Sequence, residues 1–254
     1  MPHIDLASEG GRQIPVEYRL PADARRVCII AHGFASSKES ATAQMMLDHL
    51  EKLGLGAFAF DFPCHGESSA PWQQLTVDAC LADLRQVEAF ARTRASEAEV
   101  CYFGSSFGAY ITILHLCTDP GAGRRAFLRC AAVDMDHAFD HQAETIGCQL
   151  RQLGYALYDT GYGPQLRLSG AFFESLRGRS VFDLPLPPDA RLEMIHGLSD
   201  DVVDPAAARA YAAAAGCRIN LIPGADHRIA TPEGIQTLLE RTAYFFACEM
   251  GDRR

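Results

Sequence analysis

The sequence predicts an α/β protein with a mostly parallel central sheet and helices on both faces. Three features point there. Short β-like runs alternate with helix-period patterns from about residue 26 onward. The run "RVCIIAH" (26–32) is apolar without alternation, as a strand buried on both faces should be. After an interruption at 137–188, the alternation resumes through "RLEMIHG" (191–197) and "RINLIPG" (218–224).

The elements follow in order. "VEYRL" (16–20) comes after the turn "EGGRQ" (9–13) and is expected in an N-terminal hairpin at a sheet edge. Ala43, Met46, Leu47, Leu50 and Leu53 share one helical face, and Gly54 supplies a stop. "AFAFDF" (57–62) returns to strand, and residues 77–91 form an amphipathic helix through Val77, Leu81, Leu84 and Val87. "VCYFGS" (100–105) is a strand, followed over 107–117 by a helix apolar nearly all round, hence buried. "CAAVDM" (130–135) is expected as the next strand. Helices begin at Pro205 and Pro232.

Residues 137–188 break the rhythm. They contain Tyr155, Tyr158, Tyr162, Phe172 and Phe173 and end in "LPLPPDA" (184–190). A structureless loop of that length does not suit a compact domain, so the segment is expected to be an insertion with small elements of its own. The domain expectation is a core from 1–136 and 189–254, with 137–188 as a cap.

Composition bounds the partners. A net charge of -9 and the lack of a basic cluster argue against nucleic acid or an anionic membrane surface as a main partner. No apolar run reaches membrane-spanning length, and the start "MPHIDLASEGGRQ" has no basic region leading into an apolar core, so a cytoplasmic protein is expected. Nine cysteines form no CxxC and lie mostly in apolar segments, as small buried residues in a reducing compartment do. No dinucleotide fingerprint and no HExxH occur, so neither cofactor nor metal is expected. A homodimer is an open expectation.

Gly104-Ser105-Ser106-Phe107-Gly108 fits G-x-S-x-G between a predicted strand and a predicted helix. A turn that tight excludes bulk on either side of the nucleophile, which gives the two glycines a reason. The count makes Ser106 the nucleophile candidate and Ser105 a packing residue. A serine hydroxyl needs a base, itself oriented by a carboxylate. His227, in "GADHRIATPE", directly follows the last strand and is the candidate base, with Asp226 serving loop structure. "HGLSDDVVDP" offers three carboxylates. Asp204 before Pro205 has the pattern of a helix N-cap, which leaves Asp200, preferred for its HGxxD spacing, or Asp201. Asp134 and Asp136, beyond the preceding strand, are a further source of the acid.

The order Ser, Asp, His, each past the carboxyl end of a strand, resembles the α/β-hydrolase superfamily. "AHGF" (31–34) is similar to the family's HG turn, which implies that the backbone N–H groups of Phe34 and Phe107 form an oxyanion hole. "DFPCHGES" (61–68) resembles the family's D-x-x-G-x-G-x-S turn, with Pro63 and Cys64 where many relatives have Arg and Gly. His32 and His65 are expected to brace these loops, and Cys64 to be an inert thiol. "HGFASSK" (32–38), the compact size and the insertion look most like feruloyl (cinnamoyl) esterases and their serine-aminopeptidase-like neighbours. "LRLSGAFFESLR" (166–177) is similar to the β-rich cap of those esterases. The resemblance implies a cap over an acyl pocket, with Tyr158 or Phe172 facing the ligand.

The expected function is therefore a serine hydrolase cleaving small-molecule carboxylic esters through an acyl-enzyme, with Ser106, His227 and Asp200 as its triad. Amide or thioester cleavage would use the same residues. A non-catalytic small-molecule receptor on the same fold is the alternative from another class.

Overall fold

A computed structural model describes residues 3–8, 11–159 and 164–247. The element order is β1 (His3–Ala7), β2 (Gln13–Arg19), β3 (Arg26–Ala31), α1 (Ala41–Lys52), β4 (Gly56–Phe60), α2 (Val77–Arg94), β5 (Glu99–Ser105) and α3 (Phe107–Thr118). Then come β6 (Arg125–Arg129), α4 (Ala143–Leu153), β7 (Ala156–Tyr158), β8 (Leu166–Leu168), α5 (Gly170–Leu176), β9 (Arg191–Gly197), α6 (Pro205–Ala214), β10 (Arg218–Ile222) and α7 (Pro232–Ala247).

Eight strands form the main sheet in the order β1-β2-β4-β3-β5-β6-β9-β10. The hairpin β1–β2 sits at one edge, and β2 is antiparallel to both its neighbours. The remaining pairs are parallel. Strand alternation explains why residues 27–31 of β3 are apolar throughout. Val27, Ile29 and Ala31 join the cluster that α2 and α3 complete with Leu81, Leu84, Tyr110 and Ile113. Cys28 and Ile30 join the opposite cluster with Met46, Leu47 and Leu50 of α1 and Phe245 and Phe246 of α7.

Helix starts follow local chemistry. Ser40, Thr76 and Asp204 accept hydrogen bonds from the amides of Ala43, Ala79 and Ala206, and Pro205 occupies the first turn of α6. Gly54, at φ +73°, ends α1 as expected.

One strand lies elsewhere than the sequence predicts. β6 is Arg125–Arg129, and "CAAVDM" (130–135) is the loop beyond it. That loop is apolar because the site is built over it: Cys130, Ala131 and Val133 are fully buried. The charged ends of β6 hid the strand. Arg125 pairs with Glu99 and donates to the Phe245 carbonyl, while Arg129 is bonded inside the fold.

Residues 137–188 hold α4, a two-stranded antiparallel sheet of β7 and β8, and α5. The stretch 166–177, similar in sequence to a β-rich cap, is a three-residue strand followed by helix, with Ser169 capping α5. Phe139, Leu166, Leu168, Phe172 and Leu176 belong to the same hydrophobic cluster as the sheet and do not form a separate core. Tyr162 and Cys248 lie outside the described residues. The cysteines among the described residues are free thiols. Among the described residues no helix is long and apolar enough to cross a membrane.

Candidate active site

Ser106 sits between β5 and α3 with φ 53° and ψ -115°, a backbone conformation that ordinary residues avoid. The turn is tight enough to explain both flanking glycines. A Cβ on Gly108 would lie 2.1 Å from the Ala31 carbonyl oxygen, and one on Gly104 would lie 2.6 Å from Cα of Ala109. The Ser106 amide donates to the Arg129 carbonyl at 2.8 Å, and its own carbonyl accepts from Ala109, Tyr110 and Ala132. The nucleophile position is thus fixed by backbone bonds on both sides.

Two loops from the far half of the sheet close on it. His227 Nε2 lies 3.1 Å from Ser106 Oγ, and His227 Nδ1 lies 2.8 Å from Oδ2 of Asp200. Nδ1–H donates to the carboxylate, leaving Nε2 as acceptor for the hydroxyl proton. Gly197, at the end of β9, permits this approach: a Cβ there would lie 2.3 Å from the Ala225 carbonyl oxygen, in the loop that carries His227.

Asp200, not Asp201, is the carboxylate brought to His227. Its other oxygen accepts from the amides of Val202 and Val203 at 2.9 Å each, while Asp201 is exposed. Burial works to raise the Asp200 pKa, but the hydrogen bonds from His196, His227 and Val203 outweigh it and hold the carboxyl well below the ordinary carboxylate range. Asp204 caps α6, and Asp226 accepts from the Arg228 amide, both as expected.

The HG turn lies against the nucleophile: a Cβ placed on Gly33 would stand 3.4 Å from Cβ of Ser106. Phe34 and Phe107 meet edge to face with ring centroids 5.1 Å apart. Neither amide is spent on a protein carbonyl among the described residues.

Residues 22–162 match the family model described as Hydrolase_4, serine aminopeptidase S33. The chain belongs to this hydrolase family. No curated protein sequence matches it. Among solved structures, one from Agrobacterium vitis has a TM-score of 0.78 at 21% identity and covers 96% of this chain and 98% of its own. Est1E from Butyrivibrio proteoclasticus, solved with ferulic acid bound, gives 0.76 at 17% identity over 95% and 97%. An esterase of Pyrococcus furiosus gives 0.73 at 16% identity over 98% and 93%. These likenesses establish the α/β-hydrolase fold over nearly the whole chain.

In this S33-family chain, Ser106 and His227 open into a cavity of about 1060 Å³. Phe34, Phe107, Met135, Phe139 and Tyr158 supply apolar wall, while Asp134, Asp159, Asp201 and Arg228 stand among its polar residues. The two aromatic candidates separate here. Tyr158 lines the cavity; Phe172 is fully buried and stacks on Phe34 at 5.4 Å, supporting the wall from outside.

His32 and His65 are buried braces. His32 Nδ1 donates to the Gly33 carbonyl and its Nε2 accepts from the Phe62 amide, while His65 donates to the Pro63 carbonyl. Burial lowers their pKa values to about 4 and about 3, so both stay neutral at pH 7. Cys64, at φ 65°, donates its thiol to the Pro71 carbonyl, and burial pushes its pKa up to about 11. A thiol so held is a poor nucleophile at neutral pH.

Two groups bring potential metal ligands within 4.8 Å of one another: Cys130, His196 and Asp200, and Asp134, Asp136 and His137. In the first, the carboxylate is already engaged by amides and imidazoles. Asp134 and His137 of the second are exposed. The residues that sequence reasoning missed are His196, which reaches Asp200, and Arg129, which reaches Ser105. The HG of "HGLSDD" was a signal for the first. The second had none, because its partners lie on two segments far from it in sequence, the nucleophile turn and the loop that carries His227.

Proposed function

We propose that this S33-family hydrolase is a carboxylic-ester hydrolase working through an acyl-enzyme. One observation supports the reading most: a hydroxyl on a strained turn is hydrogen-bonded to an imidazole that is in turn bonded to a buried carboxylate, beside two unspent amides.

Ser106 Oγ attacks the ester carbonyl carbon as its proton passes to Nε2 of His227. The carbonyl oxygen becomes an oxyanion and takes hydrogen bonds from the amides of Phe34 and Phe107. Asp200 fixes the imidazole tautomer and stabilises the imidazolium. Collapse breaks the ester C–O bond, and His227 gives its proton to the departing alcohol. Water, deprotonated by His227, then attacks the acyl carbon, releasing the acid and restoring Ser106.

The aromatic wall of Phe34, Phe139 and Tyr158 favours a planar aromatic acyl group over a long flexible chain, since ring faces and edges match in size and geometry. The structural likeness to Est1E holding ferulic acid points the same way. The S33 aminopeptidase description favours a second reading, amide cleavage by the same residues.

Covalent labelling by a fluorophosphonate probe tests the core of the proposal. Wild-type protein is expected to label and Ser106→Ala to be silent. Equal labelling of both would reject Ser106, and a folded, unlabelled wild type would favour a receptor. Hydroxycinnamoyl esters compared with short and long acyl esters and with aminoacyl amides separate the two hydrolytic readings.

A further inference from the structure

We propose that Arg129 is a positioning residue that clamps the nucleophile turn to the histidine loop, with Ser105 as its grip. The inference rests on Ser106 and His227 acting as proposed above.

Arg129 ends β6 directly opposite Ser105 at the end of β5. Its backbone carbonyl accepts the Ser106 amide at 2.8 Å. Nη1 donates to Ser105 Oγ at 2.8 Å. Nη2 donates to the His227 carbonyl at 3.0 Å and to the Arg228 carbonyl. One residue therefore holds the nucleophile's backbone, its neighbour's side chain and the backbone of the base. The two loops that must present Oγ and Nε2 to each other come from positions 121 residues apart, and this guanidinium bonds to both.

The arrangement is an uneconomical way to obtain stability alone. Arg129 is 5% exposed, no carboxylate pairs with it among the described residues, and its Nε has no acceptor. A buried cation without a counter-charge is costly, and an apolar side chain would fill the space more favourably. What an apolar side chain lacks is the planar fork, which fixes distance and angle between two walls at once. The neighbouring backbone is strained at the same places, with positive φ at Ser106, Cys130 and Ile229. Such conformations persist only where surrounding bonds over-determine them. Ser105 is therefore more than a packing residue: it is the hydroxyl through which the clamp reaches the turn.

The test uses purified Arg129→Ala, Arg129→Lys and Ser105→Ala, each checked for folding by circular dichroism and melting. Fluorophosphonate labelling of Ser106 and turnover of an activated aryl ester are then measured. Loosening the alignment by about an ångström is expected to slow labelling and kcat on the order of a hundredfold in Arg129→Ala, with KM little changed. Arg129→Lys keeps the charge without the fork and is expected to recover only part of the loss. Because Arg129 lines the cavity, guanidinium ion can enter the vacated space. It is expected to speed Arg129→Ala while equal sodium chloride does not. Ser105→Ala, the variant least prone to misfolding, is expected to lose rate in the same parameter, and its loss to be absent when Arg129 is already alanine.

Folded Arg129→Ala and Ser105→Ala labelling at the wild-type rate would overturn the clamp while leaving Ser106 and His227 in place. Wild type that labels elsewhere than Ser106 would overturn the triad reading, and the clamp with it.

Discussion

Nε2 of His196 lies 3.0 Å from Oδ2 of Asp200, the same oxygen that His227 Nδ1 approaches at 2.8 Å. Two imidazoles thus converge on one buried carboxylate oxygen. His196 Nε2 also lies 3.0 Å from the Val203 carbonyl, so its N–H is shared between that carbonyl and the carboxylate. With two backbone amides on the other oxygen, Asp200 stays an anion although its side chain is wholly buried.

This environment makes the two adjacent aspartates unequal. Asp200→Asn presents an amide where His227 needs an acceptor, so kcat is expected to fall about 10³- to 10⁴-fold, with folding retained. Asp201→Asn changes an exposed group and is expected to leave kcat near wild type. Steady-state kinetics on both variants with one activated ester checks the ranking, and a reversed order would move the acid to Asp201.

Gly108→Ala is expected to destabilise the protein by about 3 kcal/mol or to prevent folding, because the added methyl collides with the Ala31 and His32 carbonyl oxygens, which cannot retreat. Chemical denaturation measures this. Gly170→Ala is the control, since a Cβ there meets nothing within 4 Å.

Acid should weaken the fold well before carboxylates protonate. His32 and His65 titrate at about 4 and about 3 when folded, against 6.5 as the ordinary value. Between these limits the unfolded chain binds more protons, so their contribution is complete above about pH 6.5 and declines as pH falls toward 4. The slope is about 1.4 kcal/mol per pH unit for each histidine. His137, held above its ordinary value by its hydrogen bond to Asp140 and the charge of Asp136, titrates with the opposite sign at the surface. Urea unfolding at about pH 7.5 and about pH 5 is expected to show the loss, and His65→Asn to reduce it. Equal unfolding free energies at both values would contradict the assignment.

Tyr158 contacts Phe34 and Phe139 edge-on and lines the cavity. Tyr158→Ala is expected to raise KM for a hydroxycinnamoyl ester about tenfold, the equivalent of one lost aromatic contact of about 1.4 kcal/mol, while kcat stays within a few-fold. A short acetyl ester should be insensitive. A matching change in both esters would remove Tyr158 from acyl recognition.

The sequence by itself determined the α/β class, the order of most elements and the positions of Ser106 and His227. These follow from local causes: face periodicity sets helix and strand, and a strand-to-helix turn that tolerates no Cβ demands glycine at 104 and 108. The tertiary structure decided between Asp200, which the HGxxD spacing favoured, and Asp201, and it alone decided that β6 ends at Arg129 and not at Met135, that Phe172 lies behind the wall that Tyr158 faces, and that Arg129 joins two loops. Each of those depends on the register of neighbouring strands and on how closely loops from distant segments approach. Hydrophobic pattern does not encode such distances, and a charged residue at a strand end looks the same in sequence whether it meets water or a buried carbonyl.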